Sequence, residues 1–197
     1  MRIRNSICLF GLTSLILFTL GACSVKNQVE AEVKKLDSLR IVLNSKLSEL
    51  SKSDTAMVSR AILKFTNYSI FIENNLSDTI TKTQANGLQQ FYVSGNSLKA
   101  FAVNRSSIIT RASFVNAQIK NLMSDLTNGL LNKETFLKNY DAESKAAIQL
   151  IVLSEQELIR YTQSIQDFKN AISPVEALIK SHNNGLLPEA IKDSNSI

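Results

Sequence analysis

The chain has 197 residues, with 22 lysines and arginines against 17 aspartates and glutamates, one histidine and two cysteines. That length holds one domain with a real buried seam and hardly two. A single histidine, His182, nearly excludes a histidine- or cysteine-ligated metal centre and leaves little for Ser/His/Asp or Cys/His nucleophilic machinery. No Gly-x-Ser-x-Gly elbow and no phosphate-cradling glycine loop occurs, so the chain reads as non-enzymatic, with no metal and no cofactor.

At the N-terminus, Arg2 and Arg4 form a short positive region, and Ile7 to Leu20 form an apolar run too short for a comfortable membrane-spanning helix. Small residues follow at Gly21 and Ala22, and then Cys23. The stretch Leu20-Gly21-Ala22-Cys23 resembles the lipobox of bacterial lipoproteins. That resemblance implies removal of residues 1–22 as a signal peptide and acylation of Cys23, the first residue of the mature chain. Cys8 would leave with the signal and Cys23 would be consumed by a lipid thioether, so no pair is left for a disulfide. Several acyl chains on one cysteine would make the membrane attachment essentially permanent. Ser24 stands where the lipoprotein class places aspartate for inner-membrane retention, which implies the periplasmic face of the outer membrane.

Beyond the signal, helical periodicity dominates. Val29, Val33, Leu36, Leu43, Leu47 and Leu50 mark one apolar stripe, and Val58, Ile62, Phe65, Ile72 and Leu76 mark its continuation. The join Ser51-Lys52-Ser53-Asp54-Thr55 contains neither glycine nor proline, and the eight-residue step from Leu50 to Val58 can be absorbed as a stutter in one helix from Asn27 to Leu76. Asp54 could equally cap a separate helix. Ser77 to Gly87 reads as the first long connection.

The next stripe is Phe91, Leu98, Phe101, Arg105, Ile108, Ala112, Val115, Ile119, Leu122 and Leu126, one heptad from Phe91 to Leu98 and then alternating steps of three and four. Ser94-Gly95-Asn96-Ser97 disfavours helix and could cap a shorter one beginning near Leu98. Asn128-Gly129 supplies a C-cap and Asn132 an N-cap. A final stripe runs from Leu137 through Tyr140, Ser144, Ala147, Ile151, Ser154, Leu158, Tyr161, Ile165, Phe168, Ile172 and Val175 to Ile179. Ser173-Pro174-Val175-Glu176 looks like a capping box, at which that helix kinks or restarts. Asn183-Asn184-Gly185 ends it, leaving residues 183–197 as a loosely held tail. The expectation is an all-α domain over residues 23–182, an elongated antiparallel bundle of three long helices, with a four-helix bundle as the alternative.

Charge is distributed unevenly. No acid lies between Asp78 and Asp125, where Lys82, Lys99, Arg105, Arg111 and Lys120 fall, while residues 121–197 carry seven bases and ten acids. Oppositely charged neighbouring helices fit mutual complementarity better than a phosphate-binding stripe, so no nucleic-acid partner is expected. The near pairs Glu30/Glu32, Asp141/Glu143 and Glu155/Glu157 diverge around a helix axis and read as solvated faces.

One seam position is not apolar. Arg105 falls level with about residue 159 if the hairpin turns near residue 132, which brings it towards Glu155, Glu157 and Tyr161. Arg105, Ser154, Glu157 and Tyr161 are therefore the candidate buried polar cluster, with Arg105 paired to a glutamate that sets register. The competing reading lets the guanidinium reach water along its own stem.

Together these features predict a lipid-anchored helical scaffold, spacer or accessory subunit bound to another envelope protein. A small-molecule-binding or sensing bundle, with a cavity around Arg105, Ser154 and Tyr161, is the alternative. Heptad seams can also pair between two copies of the chain, which keeps a homodimer open.

Overall fold

The computed structural model describes residues 7–76 and 80–188, with side chains from residue 29 onward. Among the described residues the chain is all-α, with no strand: α1 is Ile7–Ser51, α2 Thr55–Asn75, α3 Lys82–Thr127 and α4 Lys133–His182. The side chain of Cys23, on which the lipidation expectation rests, lies outside the described residues, as do Ser77 and residues 189–197. No helix among the described residues is long and apolar enough to cross a membrane.

The first stripe is broken, so the single helix expected from Asn27 to Leu76 is two helices and the four-helix alternative holds. Asp54 is the reason. Its side chain accepts from the Met57 amide at 2.8 Å, and its carbonyl accepts from Val58 at 3.1 Å, which opens α2. On the other side, the Lys52 amide bonds to Ser48 and Glu49, and Ser53 turns back to the Leu50 carbonyl through both its amide and its hydroxyl. Leu50 and Val58 are nonetheless both buried, so the turn takes up the extra residue that a stutter would have spread along the helix.

Packing divides the chain into two units, Met1–Asn44 with Ala112–Gln149 and Ser45–Arg111 with Leu150–Ile197. In the first, Leu36 and Leu43 of α1 are buried, as are Ala112, Val115, Ile119 and Leu122 of α3 and Phe136 and Ala147 of α4. Asn116 donates to Asn44 at 2.6 Å. A hydrogen bond from Tyr140 holds Glu32 below its ordinary pKa, against a smaller opposing effect of burial and with help from Lys35. The α3–α4 turn follows expectation: Gly129 has φ +70°, the Leu130 amide bonds to the Asp125 carbonyl at 2.8 Å, and Asn132 caps α4 through Thr135 at 2.9 Å.

In the second unit, Leu50, Val58, Phe65, Tyr68 and Ile72 face Phe91, Leu98, Phe101 and Ile108 of α3, and Leu150, Ile165, Phe168, Val175 and Ile179 of α4. The register is antiparallel between α3 and α4. Stepping back from Asn104 to Ser97 on α3 matches stepping forward from Glu157 to Ser164 on α4, with bonds of 2.9 and 2.7 Å. The end of α1 and all of α2 run parallel to α4 at one nearly constant offset, from Asp54 with Tyr161 to Tyr68 with Glu176. Phe65, Phe91, Tyr92 and Phe168 form the aromatic centre, with Phe91 ring centroids 5.1 Å from Phe65 and 5.6 Å from Phe168.

Three boundaries differ from expectation. First, α3 begins at Lys82, five residues before Gly87, because Thr81 and Gln84 form a capping box: the Thr81 amide donates to Gln84 at 2.8 Å, and the Gln84 amide to Thr81 at 3.3 Å. Second, Ser94-Gly95-Asn96-Ser97 does not interrupt α3. Ser94 is buried and returns its hydroxyl to the Gln90 carbonyl at 2.8 Å, Ser97 meets Ser164, and Gly95 leaves room for the Phe65 ring. The weak helix formers are there for a close approach between α3 and α2. Third, α4 continues through Pro174 to His182, so of the two expected outcomes there the helix does not restart. Val175, Leu178 and Ile179 are all buried, so packing offsets the missing amide hydrogen. His182 closes the helix with Nδ1 3.0 Å from the Leu178 carbonyl. Of the expected tail, residues 183–188 are described, and the Leu186 carbonyl accepts from Asn183 at 3.1 Å.

Candidate functional site

Arg105 sits where the α3 seam passes the α1–α2 turn, and its half-buried guanidinium points at backbone. Nε donates to the Leu50 carbonyl at 3.1 Å and to the Ser53 hydroxyl at 3.3 Å, and Nη2 to the Ser51 carbonyl at 3.0 Å. These are the last carbonyls of α1, which no intrahelical amide can reach, and they carry the negative end of the helix dipole. A guanidinium fork suits that task better than an ammonium, because its donors are fixed in a plane and its charge is permanent.

Tyr161 reaches the same turn from α4. Its ring packs on Phe101 with centroids 5.0 Å apart, and its hydroxyl accepts the Asp54 amide at 3.3 Å. Arg105 thus closes α1 while Tyr161 takes the amide of the residue that opens α2. Both reach the same α1–α2 turn, each through its own backbone partners.

The expected pairing of Arg105 with a glutamate is corrected by this geometry. Among the described residues no carboxylate forms an ion pair with Arg105. Glu155 is taken by Lys46 at 3.3 Å, and Glu157 by the Asn104 amide at 2.9 Å and Arg160 at 3.5 Å. The physical reason is angular: Asn104 points towards α4, and the next residue is turned by about 100° around the helix. Glu157 is buried and leaves Oε2 without a hydrogen bond. Ser154 is fully buried and donates to the Leu150 carbonyl one turn back at 2.7 Å, so it bonds to neither Arg105 nor Tyr161. Of the four residues, two meet at the turn and two serve the α3–α4 seam.

Asn104, Ser53 and Asp54 are the members that sequence reasoning left out of the site. A signal was present for Asp54, an N-cap residue eight positions before Ile62 on an unbroken stripe. Nothing local marks Asn104, whose role depends on the partner helix.

A second polar constellation lies between α2 and α4. Glu176 accepts from Lys64 at 2.9 Å and from the Tyr68 hydroxyl at 3.0 Å. Burial, the largest effect, pushes the Glu176 carboxyl up, but the bonds from Lys64 and Tyr68 and the charges of Lys64 and Lys180 outweigh it and hold the carboxyl below its ordinary value. Tyr68 is pushed strongly up by burial and then by the adjacent carboxylate.

Among the described residues no three His, Cys, Asp or Glu side chains come together to hold a metal ion. The chemistry available at the α1–α2 turn is donation to backbone, which sets the position of a helix break. No family model matches this chain, and no curated protein or solved structure matches it.

Proposed function

We propose that this protein is a lipid-anchored, non-enzymatic helical scaffold or accessory subunit of the bacterial cell envelope, held by acyl chains on Cys23 and binding another envelope protein. The observation that carries the reading is Leu20-Gly21-Ala22-Cys23 after a basic start and a short apolar run. The described fold fits it. Among the described side chains of α1, Leu36 is the first that is fully buried, so the bundle core lies within a few helical turns of Cys23. The polar groups singled out in the sequence are spent on helix ends and register, as suits a protein that acts by shape. Ser24 after the cysteine favours the periplasmic face of the outer membrane.

The test has two arms. Mass spectrometry of protein from its natural host should find residues 1–22 absent and Cys23 acylated, and Cys23→Ala should move the protein from the membrane fraction to the soluble one. Crosslinking in the native envelope should then capture a reproducible partner that the Cys23→Ala variant loses. An unmodified cysteine sinks the anchor, whereas an acylated protein with no partner sinks the scaffold and spares the anchor.

A further inference from the structure

Three of the six glycines follow an asparagine, at Asn86-Gly87, Asn128-Gly129 and Asn184-Gly185. The glycine amide nitrogen of such a pair can attack the side-chain Cγ of the asparagine before it and close a five-membered ring. Glycine hinders that attack least, because it carries no Cβ and turns freely. The nitrogen must first lose its proton and swing onto Cγ, so an amide locked in a helix is held off. All three asparagines are exposed, and it is therefore the backbone, not access to water, that separates them.

Asn86-Gly87 lies inside α3, where each amide is bonded to the carbonyl one turn back. A Cβ on Gly87 would stand 3.8 Å from Pro174 of α4, so unwinding the helix there also disturbs its packing. Asn128-Gly129 lies just past the end of α3, with Gly129 at φ +70° and open space around it. Asn184-Gly185 repeats the arrangement past α4, with Asn184 at φ +52° and Gly185 at φ +81°. Each of these two glycine amides is held by a single bond, to the Leu126 carbonyl at 3.1 Å and to the Lys180 carbonyl at 2.9 Å, at a helix end where local opening costs least.

We propose that Asn128 and Asn184 are sites of spontaneous deamidation and that α3 shields Asn86 from it. The glycine nitrogen gives its proton to water and bonds to Cγ, the bond from Cγ to Nδ2 breaks, and Nδ2 leaves as ammonia. Water then opens the cyclic imide. Attack at Cγ gives aspartate, and attack at the backbone carbonyl carbon gives an isoaspartyl link, in which the chain runs through the side chain. The two sites differ in consequence. A carboxylate at 128 stands at the negative end of α3, one turn after Asp125, and the isoaspartyl link adds a methylene where the Leu130 amide must reach the Asp125 carbonyl. At 184, Lys180 and His182 in the last turn of α4 offset the new charge. None of this rests on Cys23.

The full chain is held warm for several weeks at mildly alkaline pH in heavy-oxygen water, then digested in ordinary water and mapped by mass spectrometry, beside a urea-unfolded control. Peptides containing residues 128 and 184 should each give aspartyl and isoaspartyl forms carrying one heavy oxygen. The peptide containing residue 86 should convert roughly tenfold or more slowly, the ratio being set by the cost of opening the helix. In urea the three should convert at similar rates. Asn128→Gln, which would have to close a six-membered ring, should lose conversion in that peptide alone. Conversion at 86 in the folded chain as fast as at 128 overturns the proposal, and so does either turn staying unconverted while the unfolded control reacts.

Discussion

Arg105 of α3 donates from Nε to the carbonyl of Leu50, 3.1 Å away, and so caps the C-terminus of a helix to which it does not belong. Helices usually end on a glycine in the left-handed region or on water. Here the cap comes from another element, so the position at which α1 stops is written into the packing of α3. Tyr161, on α4, takes the first amide of the next N-cap. A break with no glycine or proline is thereby held from both neighbouring helices.

Arg105→Met should therefore cost about 1–2 kcal/mol, the scale of part-buried hydrogen bonds from a charged donor, because the Leu50 carbonyl keeps its bonds from Ser53 and the exposed Ser51 carbonyl can turn to water. Arg105→Lys should recover only part of that, since one ammonium cannot serve Leu50, Ser51 and Ser53 together. Denaturant midpoints of the two variants check it. Equal stability of all three proteins would show that water caps α1 just as well.

Asp54→Ala should cost about 1 kcal/mol through loss of the bond to the Met57 amide. Its effect should not add to that of Arg105→Met, because both act on the same turn. A double-mutant cycle by thermal unfolding measures the coupling, and strict additivity would mean that the two ends of the break are held separately.

Gly95 offers a change of sign. In an exposed helix, glycine to alanine stabilises by about 1 kcal/mol. Here a Cβ would overlap the ring of Phe65, itself locked between Phe91 and Tyr92, so Gly95→Ala should destabilise by about 1–3 kcal/mol. Phe65→Leu in the Gly95→Ala background should cost less than Phe65→Leu alone. A stabilised Gly95→Ala variant, read by melting temperature, would falsify the close approach of α2 and α3.

Glu176 governs the acid side. Its carboxyl lies below the ordinary 4.5 in the folded chain, so the stabilisation it carries is complete above that value and is lost as pH falls through the folded pKa. Glu176→Gln should therefore be less stable than the parent at pH 7, with the two stability curves drawing together as pH falls below 4.5. Tyr68 works on the opposite side: its raised pKa means that stability declines as pH climbs past 10.0, where the unfolded phenol ionises and the folded one does not. Curves for parent and Glu176→Gln that stay parallel through the acid range would remove Glu176 from the account.

The sequence by itself determined the class of the fold, most of its caps and the α3 seam, whereas on α4 Phe136, Leu150, Glu157 and Ala171 are buried in place of the expected Leu137, Ile151, Leu158 and Ile172. Strides of three and four at Phe91 to Leu126 and Leu137 to Ile179 can only be buried as helices, because no other backbone places those side chains on one face. Gly129, Asn132 and the end at Asn183-Asn184-Gly185 were legible for the same local reason: a cap is a property of a few consecutive residues. The tertiary structure alone decided what the exceptions do. Asp54 could cap or be passed over, and Ser94-Gly95-Asn96-Ser97 could stop a helix or admit a neighbour. Each choice was settled by Arg105, Tyr161 or Phe65, side chains distant in sequence. Arg105 could be recognised as out of place on an apolar stripe, but its partners were carbonyls, and carbonyls are present at every residue. Only the folded chain shows which ones lie within reach of its guanidinium.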